Sequence, residues 1–209
     1  MTAIASTDLV ATGDHGVLVR RLSGLLEDDL VGYFAGAVAA GGGRDEECRF
    51  DGYRIDGGTG ISSPCRFRYD VTDRNLAALH RHPRLAETMA GFLGRAVRPT
   101  KVAMQTYAAG EFISLHQDQQ DCTAATLVKL TPDTGPLYAW PRLLDHDPAE
   151  LLDISRRYDG YPPGPVPLTW SVGDVLLVRG PVIPHARPPH RSAAPAAILS
   201  FCYLAEPAA

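Results

Sequence analysis

The chain has 209 residues, of which 45% are hydrophobic and 21% are charged, and its formal net charge is −4. This length suffices for one sizeable domain with its own core and is short for two. The acidic balance argues against a nucleic-acid-binding surface or a polybasic membrane surface, and no apolar stretch approaches the length of a membrane span.

The first forty residues predict a strand and a helix. Residues 1–16 are interpreted as a loose lead-in, and residues 16–22 as a first strand. Ser23 is a suitable N-cap for a helix that extends to about Val38, because apolar residues recur on one face of it. The three glycines at 41–43 are expected to end this helix.

The next segment predicts short strands followed by two helices. Polar and apolar residues alternate over 48–55 and 65–71, as in strands, and a glycine-rich loop at 57–60 separates them. Asp73 is expected to cap one helix, and Pro83 to open another.

After Pro99 the pattern is that of strands almost to the end of the chain. The predicted strands cover 123–130, 135–140, 168–170, 175–178 and 196–204, and a short helix is expected at 148–158. We therefore predict an α+β fold: a double-stranded β-helix (jelly-roll, cupin-like) core over 99–204, supported by N-terminal helices. The chain is expected to form a single domain over 1–209, with 1–98 as a helix-and-strand lead-in.

The cysteines and the N-terminus favour a reducing compartment. None of the four cysteines forms a CxxC pair, and Cys122 and Cys202 have apolar neighbours. We expect these two to be buried thiols rather than zinc ligands or disulfide partners. Residues 1–8 lack a basic segment followed by a long apolar core, so the cytoplasm is the expected location.

Two histidines and an aspartate carry the strongest functional signal. His116 and Asp118 end a strand-like run over 105–115, and residues two apart point to the same face of a strand. A second apolar run, 174–178, leads to His185. Two imidazoles and one carboxylate form the facial triad that binds non-haem Fe(II) and leaves coordination positions open. The alternative is that all three are unrelated polar residues on a solvated face.

The other histidines are weaker candidates for the metal. His190 follows the same strand as His185, but it lies farther along a proline-rich loop, so we favour His185. His80, His82 and His146 have neither a partner at metal-ligand spacing nor a strand context, and we expect them to face solvent.

These residues resemble the 2-oxoglutarate- and Fe(II)-dependent oxygenase superfamily over roughly 99–204. The first ligands lie in the pattern Tyr107-x-x-Gly110-x-Phe112-x-x-x-His116-x-Asp118. The third follows Gly173-Asp174-Val175-Leu176-Leu177-Val178 as Pro184-His185. The resemblance implies Fe(II), 2-oxoglutarate as cosubstrate and O₂, with decarboxylation to succinate and CO₂ and oxidation of a substrate C–H bond. Related halogenases typically lack the carboxylate, so Asp118 argues for hydroxylation or another oxidation such as desaturation.

The resemblance also implies a cation that binds the distal carboxylate of 2-oxoglutarate. Members of the superfamily usually place it about nine to eleven residues after the last histidine ligand, where this chain has Ala194–Ala196. Arg191 is our first choice, with Ser192 beside it, and Lys129 is the second. Three further arginines remain open: Arg142, Arg179 and Arg187. Each of these cations could instead be an ordinary surface charge.

Gln105 and Tyr107 share one face of their strand and are candidates to hydrogen-bond a carboxylate of the cosubstrate. We predict hydroxylation of a small molecule, such as an amino acid or a natural-product intermediate. Hydroxylation of a protein or peptide side chain is the alternative. A cupin-like metal- or ligand-binding module without redox chemistry also remains open, because no cation stands at the usual position. The sequence leaves the oligomeric state undetermined.

Overall fold

The structure, a computed structural model, describes residues 4–40, 46–57 and 60–207. The strands of the described part are β1 (Ala5–Thr12), β2 (Gly16–Ser23), β3 (Glu46–Phe50), β4 (Arg54–Asp56), β5 (Gly60–Ser62), β6 (Cys65–Asp70), β7 (Val97–Tyr107), β8 (Phe112–His116), β9 (Ala124–Lys129), β10 (Leu137–Ala139), β11 (Val166–Leu168), β12 (Val175–Val178), β13 (His185–Arg187) and β14 (Ala196–Ala205). The helices are α1 (Asp28–Ala39), α2 (Arg74–His80), α3 (Pro83–Leu93) and α4 (Pro148–Arg157). No helix among these residues is long and apolar enough to cross a bilayer.

Twelve of the strands form one antiparallel sheet that folds over on itself. Its order is β1-β2-β12-β9-β14-β7-β6-β8-β13-β10-β11, with β3 paired to β6, while β4 and β5 form a separate hairpin. Strand β6 connects two facing layers, because Asp70 pairs with Met104 of β7 and Cys65 pairs with Ile113 of β8. The predicted jelly-roll core supported by helices is confirmed.

Strand β12 illustrates how the sequence fixes the two layers. Leu176 and Val178 pack into the space between the layers, whereas Val175 and Leu177 pack toward the helices. All four side chains are buried, and burying each contributes about 1.5–3 kcal/mol. A strand buried on both faces has a continuous apolar sequence, which is why this strand was predicted with its observed bounds.

Helices α1, α2 and α3 cover the outer face of the larger layer. Phe34, Leu76 and Met89 are buried there, together with side chains of β14. The carboxylate of Asp73 accepts the N–H of Asn75 and caps α2, and α3 opens with a proline whose fixed φ suits the first helical position. Both predicted helix starts are confirmed.

The N-terminal residues differ from the expectation. Residues expected to be a loose lead-in form β1, which pairs with β2 from Ala5↔Ser23 to Thr12↔Gly16. Strand β2 therefore continues through Ser23, and α1 begins only at Asp28, so Ser23 is not its N-cap. The glycines expected to end the helix lie outside the described residues.

Cys122 and Cys202 were predicted to be separate thiols, and this prediction is wrong: the two form a disulfide, with their Cα atoms 5.0 Å apart. The sheet causes this pairing, because β14 lies beside β9 with Cys202 opposite Ala125. The 80-residue separation in sequence contains no sign of it.

The prediction that His80 faces solvent is also wrong. His80 is buried, its Nε2 lies 2.8 Å from the carbonyl oxygen of Cys202, and its ring contacts Phe201 and Tyr203. Packing of α2 against β14 buries this residue, and sequence spacing within the helix does not reveal it.

Helix α4 covers the outer face of the smaller layer. Asp147 caps it, and a reciprocal bond from the backbone N–H of Asp147 to the Glu150 carboxylate completes a capping box. Leu151 and Leu152 pack in one cluster with Trp140. The site thus lies between two layers that are supported by helices on both outer faces.

Candidate metal centre

Pairing of β8 with β13 brings three potential metal ligands together. His116, the last residue of β8, lies directly opposite His185, the first residue of β13. Asp118 follows two residues later, and its Oδ1 lies 3.8 Å from His116 Nε2 and 3.6 Å from His185 Nε2. One donor atom from each residue lies within 4.8 Å of the others, a separation that allows a single ion to contact all three.

Each imidazole is held by a carbonyl of its own strand or of the turn before it. His116 Nδ1 is 2.9 Å from the oxygen of Ser114, and His185 Nδ1 is 2.9 Å from the oxygen of Ile183. A carbonyl only accepts, so Nδ1 carries the proton on each ring and Nε2 presents its lone pair to the centre. Such a hydrogen bond fixes both the tautomer and the ring orientation of a metal ligand.

Burial keeps His116 neutral. Removal from water, together with the neighbouring His185, lowers the pKa of His116 to about 4. A histidine binds a metal through its neutral form. At neutral pH this ring therefore needs no deprotonation before an ion binds.

Gly180 leaves room for the carboxylate. The backbone N–H of Asp118 donates to the oxygen of Gly180 at 3.1 Å. A Cβ atom built on Gly180 would overlap the Asp118 carboxylate and lie 3.0 Å from Asp118 Cβ. Only a residue without a side chain therefore fits here, a constraint that sequence reasoning missed.

Arg187 is a buried cation beside the three ligands. It lies two residues after His185, so both side chains point to the same face of β13, and it is 3% exposed. Its Nη1 donates to the oxygen of Thr134 at 2.7 Å, and its guanidinium lies 4.9 Å from the centre of the Tyr107 ring.

Neutral groups rather than a carboxylate surround the charge of Arg187 in the described part of the chain, and its guanidinium also lies 6.0 Å from the centre of the Trp170 ring. In the described part of the chain its Nη2 has no hydrogen-bond partner, and no carboxylate forms an ion pair with it. An unpaired buried charge is unfavourable by about 3–5 kcal/mol. A narrow cavity lined by Arg187, His116, Asp118 and His185 connects this cation to the ligand cluster. The arrangement can therefore bind an anion next to a metal.

Two of the expected cosubstrate residues lie in this narrow cavity. Gln105 and Tyr107 both line it, and the Tyr107 hydroxyl donates to Gln105 Oε1 at 3.0 Å. Burial raises the pKa of Tyr107 to about 12, so its hydroxyl stays protonated and maintains this bond to Gln105, whose NH₂ group remains as a donor.

The other expected residues lie elsewhere. Arg191 is exposed and lines neither of the two cavities at the ligand cluster, and the Ser192 hydroxyl donates to Asp133 at 3.3 Å. Lys129 places its Nζ 5.9 Å from the centre of the Trp170 ring, and burial lowers the pKa of this amine. The strand alternation that paired 116 with 118 would also have placed Arg187 beside His185.

A second, larger cavity adjoins the narrow one at the ligand cluster. Its volume is about 700 Å³. His116 and Asp118 line it, together with residues of the paired strands β3 and β6 and of the strands β7 and β14. The narrow, cation-lined cavity and the wide one thus meet at His116 and Asp118.

Solved structures that share this jelly-roll fold include proteins described as non-heme alpha-ketoglutarate-dependent or as members of the 2OG-Fe(II) oxygenase family. The epimerase SnoN from nogalamycin biosynthesis, described as non-heme and alpha-ketoglutarate-dependent, is 17% identical, with a TM-score of 0.62 over 90% of this chain and 78% of that chain. HygX from Streptomyces hygroscopicus, with nickel, 2-oxoglutarate and hygromycin B bound, is 14% identical, with a TM-score of 0.63 over 90% and 82%.

An oxidoreductase of the 2OG-Fe(II) oxygenase family from Burkholderia pseudomallei is 13% identical, with a TM-score of 0.60 over 90% of this chain and 84% of that chain. The sequence matches no family profile. It also matches no curated protein. At these identities the likeness establishes a shared fold.

Proposed function

We propose that this chain is a non-haem Fe(II)- and 2-oxoglutarate-dependent dioxygenase, formed by a single domain over 1–209. His116, Asp118 and His185 would bind the iron. The observation that carries the proposal is the buried guanidinium of Arg187, which has no carboxylate partner in the described part of the chain and lines the same narrow cavity as these three donors. An oxygenase of this class requires a metal and an anionic cosubstrate side by side. The three donors could bind the metal, and Arg187 could bind the anion in the same cavity.

Each residue then has a defined part. Iron with 2-oxoglutarate supplies the activation of O₂ when both are bound. The guanidinium of Arg187 would bind the distal carboxylate through two parallel N–H groups, a geometry that lysine does not offer. The Gln105 side-chain amide, whose oxygen accepts from the Tyr107 hydroxyl, would donate through its NH₂ group to a cosubstrate oxygen and orient it. The apolar walls formed by Leu127 and Ile198 exclude water from the narrow cavity.

We propose that the reaction is hydroxylation of a C–H bond in a small molecule. Asp118 supports this choice, because a carboxylate ligand leaves no position for a halide in its place. The solved structures of similar fold include an epimerase and a carbocyclase, so the fold itself accommodates several oxidative outcomes. Structures of HygX and SnoN contain hygromycin B and nogalamycin RO, and these ligands support a small-molecule substrate here.

Anaerobic titration tests the proposal. Fe(II) plus 2-oxoglutarate should produce a visible metal-to-ligand charge-transfer band, and O₂ should then yield succinate. Arg187→Met should weaken 2-oxoglutarate binding about 10- to 100-fold, the loss of charge-assisted hydrogen bonds of about 1.5–3 kcal/mol. Iron binding and folding should persist, because methionine fills the same space without a buried charge.

Arg191→Met is the matched control and should leave 2-oxoglutarate binding unchanged. If Arg191→Met weakens binding and Arg187→Met does not, the clamp is the surface arginine. If Fe(II) and 2-oxoglutarate give no band and no succinate, the chain is a binding module of the same fold and the proposed reaction is refuted.

A further inference from the structure

The wide cavity has the size of a site for a large small molecule. Its volume of about 700 Å³ lies well within the range of about 300–1,000 Å³ for pockets that enclose drug-sized ligands. It adjoins the narrow cavity, with which it shares His116, Asp118 and four other lining residues, but Arg187 and His185 line only the narrow one. A ligand placed here would reach the metal donors without contacting Arg187.

The walls of this cavity are largely apolar and partly aromatic. The aromatic rings of Phe50 and Phe67 and the side chain of Ile113 are among the apolar groups that line it. All four cysteines also line it. Cys122 and Cys202 are joined in the disulfide, and the sulfurs of Cys48 and Cys65 lie 3.9 Å apart. The disulfide and the Cys65 thiol behave as small apolar groups, so the walls favour a flat ring system that can pack on the aromatic faces.

Arg54 and Lys101 are the basic side chains that line the cavity in the described part of the chain, and both are already paired. Arg54 Nε lies 2.6 Å from Asp56 Oδ1, and its guanidinium lies 5.0 Å from the centre of the Phe50 ring. Lys101 Nζ lies 2.8 Å from Asp121 Oδ2 and donates to Gln119 at 2.7 Å. Each of these two basic side chains therefore has a carboxylate partner, in contrast with Arg187.

Besides these cations, the cavity is lined by the carboxylates of Asp118 and Asp121 and by uncharged amide and hydroxyl groups. Gln105, Gln119, Ser62 and Ser200 supply amide and hydroxyl groups that can donate to and accept from hydroxyls of a ligand. An anion entering this cavity would lose hydration and find cations whose charge is already balanced. A neutral ligand has no such loss.

We infer that the wide cavity selects a neutral, hydroxylated ring compound of drug size and discriminates against anions. The inference rests on the proposed function, because it assigns this cavity to the substrate of that oxygenase. Free amino acids are excluded as preferred substrates because they are too small to fill the cavity. Acidic peptides are excluded because the basic side chains that line the cavity are already paired with carboxylates.

A pair of probes that differ in one carboxylate tests the inference. 2-Naphthyl β-D-glucoside is neutral, and 2-naphthyl β-D-glucuronide carries one negative charge on the same framework. Calorimetry on the protein loaded anaerobically with Fe(II) and 2-oxoglutarate should show that the glucoside binds at least about tenfold more tightly, a difference of about 1.4 kcal/mol. Phe50→Ala should weaken glucoside binding about 2- to 10-fold through lost aromatic packing, whereas Tyr158→Ala, an exposed aromatic outside the cavity, should not.

Releasing a cation should weaken the selection. Asp121→Asn leaves Lys101 without its carboxylate and should raise glucuronide affinity about fivefold, while Asp153→Asn, an exposed carboxylate on α4, should change neither affinity. Tighter binding of the glucuronide by the unaltered protein, an unchanged preference in Asp121→Asn, or no binding of either probe would overturn the inference. A charge-transfer band without glucoside binding refutes the inference alone, and glucoside binding without the band refutes the proposed oxygenase alone.

Discussion

Replacing Gly180 by alanine should abolish tight iron binding while leaving the fold intact. The new methyl carbon would overlap the Asp118 carboxylate and lie 3.0 Å from Asp118 Cβ, whereas carbon atoms in good contact are about 3.5–4.0 Å apart. The carboxylate must therefore swing away by more than about 1 Å. Metal sites tolerate displacements of about 0.5 Å, and losing only an outer partner of a ligand weakens metal binding about 10- to 100-fold. Loss of the ligand itself should weaken it by about 100-fold or more.

Anaerobic calorimetry with Fe(II) measures this effect, and thermal melting checks the fold. Gly36→Ala is the matched control, because a Cβ atom there meets nothing within 4 Å and alanine is the better helix former by about 1 kcal/mol. The control should bind iron normally and melt at the same or a higher temperature. If Gly180→Ala binds Fe(II) as tightly as the unaltered protein, Asp118 is not a ligand in the position described.

Three further predictions concern the walls of the site and the core. Cys122→Ser removes a disulfide that closes an 80-residue loop, so denaturant titration should show a loss of about 4 kcal/mol; an unchanged midpoint contradicts the bond. A hydrogen bond from Cys65 lowers the pKa of Cys48 to about 7, so alkylation of Cys48 followed by mass spectrometry should be half-maximal near that pH, and Cys65→Ala should move the midpoint upward. Burial lowers the pKa of His80. Below about pH 6.5 the unfolded state therefore binds a proton before the folded state does, and the melting temperature should fall. His80→Gln should flatten this decline, and an unchanged slope in the variant would assign the pH dependence to another group.

Local signals predicted the regular elements well. The apolar run of β12 and the capping residues Asp73 and Pro83 act within a few positions of the chain, so their effect is visible in the sequence. Strand β1 was missed because most of its residues are exposed and show no apolar alternation. Its position depends on hydrogen bonding to β2, which local pattern does not encode.

The convergence of the three candidate ligands could be predicted, but their surroundings could not. Alternation placed His116 and Asp118 on one face, and the apolar run over 174–178 led to His185. Counting along the chain from His185 led to Ala194–Ala196, and Arg191, chosen because it lies just before them, is at the surface in the structure. Arg187 was ranked behind it, because burial and the absence of a partner for its guanidinium are properties of packing.

Anomalous diffraction at the iron edge, from crystals loaded anaerobically with Fe(II) and 2-oxoglutarate, tests the central claim most directly. The account predicts one iron peak in contact with His116 Nε2, Asp118 and His185 Nε2, and a 2-oxoglutarate carboxylate hydrogen-bonded to Arg187. An iron peak away from these three donors, or a cosubstrate that reaches the metal without touching Arg187, would contradict it.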